Sequence, residues 1–333
     1  MIRIAIVGMG IRGGLFAQGL RQNPDAELVA VCDANAITRE AARVEWGVPG
    51  FTDVREMLDR EGPDAILICT PDFAHRDYAV AAAEHGVHVM VEKPLATTLD
   101  DADAILVAVQ RAGIICQVAF ENRWNPPLVR AKQTIESGAL GDVSLVSARL
   151  NDTLYVPTRM LSWAAQSTVG WFLLPHLVDL AIWLSGKQPS HVYAVANKSL
   201  LPSLGVDTYD TICTTLSFHG GMQAMFETTW VLPDSSPAIF DFKFQILGDK
   251  GVLHIDVQDQ MVHQSTDTFS YPGTLVVDVH GKTRGFPLDM LDAFVDSVKH
   301  GTPPLATIQE GHNVTRVIDA VHRSIQSGQP ISL

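Results

Sequence analysis

Three short stretches of this 333-residue chain combine residue types and spacings that could do chemistry. Gly8, Gly10 and Gly13 spell GxGxxG directly after the apolar run IRIAIV and just before a helical pattern. Glycines there allow a tight turn and close backbone approach, and the following helix N-terminus offers unbonded N–H groups to a pyrophosphate. Asp33 closes the next apolar run about twenty residues on, where a carboxylate accepts hydrogen bonds from adenosine ribose hydroxyls. It would repel a 2′-phosphate, which favours NAD over NADP. The bland alternative is a flavodoxin-like turn that holds no dinucleotide. A second stretch, VHVMVEKPLATT, sets Glu92, Lys93 and Pro94 at the end of an apolar run. Lys93 is either a cation presented to a ligand at that edge or a solvated loop lysine. The third, WFLLPHLVDLAIWLSG, is apolar almost throughout yet carries His176 and Asp179. Histidine titrates near neutral pH and suits proton transfer, but a satisfied core histidine and a helix-bridging aspartate fit the same residues.

The elements that must position these groups change character along the chain. Up to about residue 120, short β-like runs (IRIAIV, ELVAVC, AILIC, VHVMV and GIICQVAF) alternate with amphipathic helical patterns such as LFAQGLRQ and RDYAVAAAEHG. That alternation predicts a doubly wound parallel sheet covered by helices on both faces. Beyond NRWNPPL, one helix over 128–138 leads into longer, alternating runs: VSLVSARL, HVYAVAN, DTICTTLSF, MQAMFETTW, FDFKFQILG and GVLHIDV. Separated by HGG and GDKG, they predict a second α/β domain with an open, mainly antiparallel sheet. Leu291, Phe294, Val295 and Val298, then Val314, Val317, Ile318 and Val321, follow helical spacing, with Gly301 and Gly328 as C-terminal stops.

Composition removes several function classes. With 24 Lys+Arg against 37 Asp+Glu the net charge is −13, which phosphate backbones repel, so no nucleic-acid partner is expected. The apolar N-terminal run is too short for a signal sequence, and no run is long enough to span a membrane. Cys32, Cys69, Cys116 and Cys213 form no CxxC pair and read as small buried residues in a reducing, cytoplasmic compartment. His85 and His88 read as exposed or structural, no Cys/His or carboxylate cluster has metal spacing, and no GxSxG supports serine hydrolysis.

Six motifs, in order over the whole length, resemble the Gfo/Idh/MocA oxidoreductases: the glycine turn, Thr70-Pro71 with His75, EKP at 92–94, RWxP at 123–126, HxxDxxxWLxG at 176–186, and GDKG at 248–251. The closing SIQSGQPISL also looks like that family's ending. The resemblance implies an NAD-binding Rossmann domain over residues 1–122 and a substrate-binding and oligomerisation α/β domain over 123–333, the C-terminal helices able to pack back on the first domain. It implies hydride transfer between nicotinamide and a sugar, inositol or related polyol. Lys93 would stabilise charge on the reacting oxygen, and His176 would take or return the hydroxyl proton. Gly8, Gly10, Ile11, Arg12, Gly13, Asp33, Thr70, Pro71, His75, Glu92, Lys93 and Pro94 are then expected at the cofactor. Lys93, Asn122, Arg123, Trp163, Phe172 and His176 are expected at the substrate. No metal is implied, and a homodimer or homotetramer through the C-terminal sheet is. One departure stands out: the family pattern has aspartate four residues before the histidine, and here that position is Phe172. Two other readings therefore stay open. One is NAD-dependent glycoside cleavage through transient sugar oxidation and elimination; the other is a regulatory protein that binds cofactor and sugar without turnover.

Overall fold

The computed structural model describes residues 1–333. In chain order the strands are β1 (Ile2–Val7), β2 (Ala26–Cys32), β3 (Gly50–Phe51), β4 (Ala65–Ile68), β5 (His88–Val91), β6 (Cys116–Val118), β7 (Val143–Thr153), β8 (Pro189–Asn197), β9 (Thr211–Phe218), β10 (Gln223–Leu232), β11 (Phe240–Gly248), β12 (Val252–Asp256), the short hairpins β13 (Gln264–Ser265) with β14 (Phe269–Ser270) and β15 (Val277–Val279) with β16 (Lys282–Arg284), and β17 (Ile331–Ser332). The helices are α1 (Ile11–Gln22), α2 (Ala36–Trp46), α3 (Val54–Glu61), α4 (His75–Glu84), α5 (Leu99–Ala112), α6 (Pro126–Glu136), α7 (Val169–Ser185), α8 (Leu200–Ser203), α9 (Phe286–His300) and α10 (Ile308–Ser327).

The chain divides into two compact units: Met1–Glu121 with Val276–Thr315, and Asn122–Leu275 with Arg316–Leu333. In the first, six parallel strands run in the order β3-β2-β1-β4-β5-β6. Each central strand is a continuous apolar run, and Ile4 to Val7 and Ala65 to Ile68 are almost wholly buried, because helices cover both faces. The order reverses between β1 and β4, and such a switch point opens a crevice at the strands' carboxyl ends. Residues 276–315 belong to this unit and not to the second. The cause is apolar packing of α9 on α1: Leu288 and Leu291 lie so close over Gly19 that a β-carbon there would meet their methyls at 2.8 and 2.9 Å.

The second unit is built on a seven-stranded sheet, β12-β11-β7-β10-β9-β8-β17, antiparallel except for the β7–β10 pair. Its strands alternate over much of their length. In β9, Ile212, Thr214 and Leu216 are buried while Cys213 and Thr215 face outward. The reading of all four cysteines as buried therefore fails for Cys213, which is exposed because it falls on the outward register of a one-side-covered sheet. The inward face carries α7, which packs on β7, β9 and β10.

Helix α7 is apolar on nearly all sides because it is enclosed, and it answers for its one charge with a partner. Asp179 accepts from Arg123, Nε at 3.1 Å and Nη2 at 2.6 Å, with the two side chains only 2% and 1% exposed. Thr168 caps the helix by accepting from the Trp171 amide, and Gly186 ends it in a left-handed turn. Removing Asp179 alone would strand the guanidinium of Arg123 in the interior. Asp179→Ala is therefore expected to destabilise the second unit by about 3–5 kcal/mol, whereas Arg123→Met combined with Asp179→Leu should cost far less. Urea denaturation of the three proteins measures the difference.

Candidate active site

Two constellations of functional side chains occur, one in each unit. In the first unit the turn after β1 has the dihedrals only glycine accepts easily: Gly8 sits at φ +89°, and a β-carbon there would meet the Cys69 carbonyl oxygen at 2.7 Å. Gly13 lies against the Gly8 carbonyl oxygen, 2.1 Å from where its β-carbon would be. Gly10 differs. Its β-carbon would meet nothing within 4 Å, and as N-cap of α1 it leaves the first helical N–H groups without a side-chain acceptor. A dinucleotide pyrophosphate fits that open, N–H-lined position, with Gly10, Ile11 and Arg12 beside it. Asp33 steadies the turn: its Oδ2 accepts from the Met9 amide and its Oδ1 from the Asn35 amide, each at 2.8 Å.

The EKP segment lies at the carboxyl end of β5, on the same sheet edge as the glycine turn, and the Lys93–Pro94 peptide is cis. Arg12 joins the two. Its Nε lies 3.1 Å from Glu92 Oε1 and its Nη2 2.5 Å from Glu121 Oε2. Burial pushes the Glu92 carboxyl upward, opposed by Arg12, and the two carboxylates together hold Arg12 above its ordinary range. Burial likewise lowers the Lys93 ammonium, while Glu92 and Glu121 pull it back up. His75 is a brace: Nδ1 lies 2.8 Å from the Pro94 carbonyl and Nε2 3.2 Å from that of Thr70, tying the loops after β4 and β5 together. Burial lowers its pKa to about 4, so it is neutral at pH 7.

In the second unit His176 sits on α7, 9% exposed, with its Nδ1 3.2 Å from the Asn122 amide nitrogen. Asn125 Nδ2 donates to Asn122 Oδ1 at 3.2 Å. Arg123, expected at the substrate, is instead buried on Asp179, because a deep aspartate needs a cation and the 121–124 turn brings one. Phe172, one turn before His176, lies among aromatic rings: Trp163 at 6.1 Å in an edge contact and Trp230 at 5.6 Å. Trp171 points elsewhere and stacks on His322 at 4.9 Å, whose Nε2 meets the Thr168 hydroxyl at 2.8 Å. Arg149 faces outward from β7 on Asp241, and Arg159 pairs with Asp234. His85 and His88 are structural, on the Ala81 carbonyl and the Ile115 amide. No group of three or more His, Cys, Asp or Glu side chains could hold a metal ion.

Sequence reading missed Glu121, Asn125 and Trp230. Their only signal was proximity to the RWxP motif for the first two, and Trp230 offered none. Its neighbours in β10 announce a strand and not a partner for α7.

Comparison with known proteins identifies the class that this fold and these constellations define. Residues 2–120 match the oxidoreductase family with an NAD-binding Rossmann fold, and residues 132–333 match the same family's C-terminal alpha/beta domain. The chain belongs to the Gfo/Idh/MocA oxidoreductase family, as the motifs implied. It is 26% identical to scyllo-inositol 2-dehydrogenase (NAD(+)) of Bacillus subtilis, over all of this chain and 96% of that protein. Among solved structures, myo-inositol 2-dehydrogenase of Lactobacillus plantarum superposes with a TM-score of 0.86 at 21% identity, covering 100% and 99% of the two chains. Scyllo-inositol dehydrogenase of Lactobacillus casei, solved with NAD(H) and scyllo-inositol, gives 0.84 at 20% identity, over 100% and 99%. At those identities the two structures establish the shared fold.

The glycine geometry separates binding from folding. Gly10→Ala adds a methyl to open space, so the protein should melt near the parent temperature while losing NAD affinity by tenfold or more. Gly13→Ala drives a β-carbon into the Gly8 carbonyl and should lower stability first. Thermal melts with and without NAD, beside NAD titration, distinguish the two.

Proposed function

We propose that the protein is an NAD-dependent dehydrogenase acting on a CH–OH group of an inositol, sugar or related polyol. The observation that carries the reading is that the glycine turn and Lys93 share one edge of the parallel sheet, at the carboxyl ends of β1 and β5. The Bacillus relative's name supports both the cofactor and the substrate class. When bound, NAD accepts the hydride that leaves the carbinol carbon. The chain's own residues do the rest. Lys93 binds the reacting oxygen and stabilises negative charge as it develops, a role helped by burial, which strengthens the interaction. His176 exchanges the hydroxyl proton. Trp163 and Phe172 offer an apolar flank to the C–H face of a ring, where the missing acid leaves no charge.

We also infer a homo-oligomer that uses the outward face of the seven-stranded sheet. Tyr193, Val195, Met225, Leu247 and Val252 are each about 40–50% exposed there, more apolar surface than a solvated sheet face needs. Four unpaired cysteines fit a reducing, cytoplasmic setting.

The test is a panel of inositols, sugars and glycosides with NAD, following NADH and released aglycone together. NADH forming in step with product supports the reading. Aglycone release with no NADH would overturn it. Within the active pairing, Lys93→Met should keep NAD affinity within a few-fold and lower turnover by about 10²–10³, the usual worth of a placed electrostatic stabiliser of about 3–4 kcal/mol. Fluorescence titration and initial rates measure each half of that statement.

A further inference from the structure

A histidine that moves protons through one ring nitrogen needs the other nitrogen held, because the partner there decides both ring orientation and tautomer. Phe172 stands where an acid one turn before His176 would do this, and its ring is packed on Trp230. The structure presents an amide to His176 instead. Asn122 Nδ2 lies 3.2 Å from His176 Nδ1, and Asn125 Nδ2 lies 3.2 Å from Asn122 Oδ1, with the two asparagines only 7% and 2% exposed.

The asparagines are held from both sides. Arg123, between them, is fixed on Asp179 by two hydrogen bonds. The Asn125 amide donates to the Asn122 carbonyl at 3.2 Å, and the Asn125 carbonyl accepts from the Leu128 and Val129 amides at 2.9 Å. Asn125 also precedes Pro126 and Pro127, which open α6 with their φ angles already set. A contact built this way fixes where the imidazole lies.

We propose that Asn122, backed by Asn125, is the positioning residue of His176, holding Nδ1 so that proton exchange with substrate runs through Nε2. With the amide N–H turned to Nδ1, Nδ1 accepts and the ring proton sits on Nε2. That form has no lone pair on Nε2 to take an alcohol's proton and is the resting form. With both amides turned over, Nδ1–H donates to Asn122 Oδ1 and Asn122 Nδ2 donates to Asn125 Oδ1. Nε2 then holds the lone pair that takes the proton of an alcohol during oxidation, giving an imidazolium whose Nδ1–H stays on Asn122 Oδ1; reduction starts from that imidazolium and returns the Nε2 proton. A carboxylate accepts only, and supports the second form alone. The paired amides carry no charge and can turn over between the resting and the working form, which a carboxylate cannot. The proton's destination rests on the dehydrogenase reading; the Asn122–His176 contact does not.

The test combines ¹⁵N NMR of the histidine side chains with steady-state kinetics on Asn122→Leu and Asn122→Asp, the His176 signals being assigned by their loss in His176→Asn. The expected result is a pyridine-like Nδ1 in the parent, a proton-bearing Nδ1 in Asn122→Asp, and a mixture of tautomers in Asn122→Leu. For Asn122→Leu, kcat should fall about 10- to 100-fold, by analogy with a metal-bound histidine that loses its outer-shell partner, with KM and NAD affinity little changed. Asn122→Asp, which also accepts from Nδ1–H, should recover most of the rate in both directions. An identical His176 signature in all three proteins would overturn the proposal, as would a Leu variant with unchanged kcat or a loss confined to KM. If Asn122→Leu does not fold, the near-isosteric Asp variant decides alone. If the parent oxidises no polyol, the dehydrogenase reading has failed and the NMR signatures still decide the contact.

Discussion

The second unit depends on one buried ion pair. Arg123 and Asp179 are both almost completely removed from water, and each alone would carry a penalty of several kcal/mol. Two parallel hydrogen bonds in fork geometry offset that penalty and, unlike apolar packing, fix direction as well as distance. Their consequence is registration. The turn over 121–124 is locked against α7 at a single height, which sets Asn122 at His176 one helical turn away from Asp179. Apolar contacts could hold α7 on the sheet, but they would tolerate sliding that this pair forbids.

The first unit works under a steric constraint instead. The crossing of the β1 turn over the chain after β4 leaves no room for a side chain at Gly8 or Gly13, so the loop is closed by backbone contact. Polar groups then stiffen it. Asp33 takes the Met9 amide, Arg12 reaches the two carboxylates Glu92 and Glu121, and His75 links Thr70 to Pro94. Cofactor turn and lysine segment are thereby one braced object, and Lys93 is presented by a loop with little freedom to move. The residues that resemble cofactor contacts in the sequence turn out to include this bracing, since Arg12 and His75 direct their polar atoms at the protein itself.

Periodicity made most of the fold legible. The parallel strands are continuous apolar runs and the second sheet alternates, so both classes of strand could be read within a few residues of where they lie. Two things could not. The return of α9 to the first unit, which the family resemblance allowed, rests on Leu288 and Leu291 fitting over Gly19, a long-range match of shapes that no local pattern signals. The β15–β16 hairpin that leads to it lacks any marked hydrophobic alternation. Among the candidate residues of the two units, Lys93, His176 and the glycines declared themselves by motif, and the apolar setting of Asp179 announced a partner without naming it. Arg123 looked like a substrate contact because a conspicuous arginine near a junction has many uses. Only three-dimensional proximity shows that Asp179 claims it, and only proximity shows an amide where an acid was expected beside His176.

In the proposed reaction, hydride leaves a carbinol carbon and ends on the nicotinamide. Transfer of isotope tests it most directly. With an inositol or sugar substrate deuterated at its C–H(OH) carbon, mass spectrometry of the recovered cofactor and product follows the label. One deuterium per turnover is expected in the reduced cofactor, at nicotinamide C4, with a keto product that has lost it. Deuterium retained in or returned to the sugar product, with no labelled NADH accumulating, would contradict it.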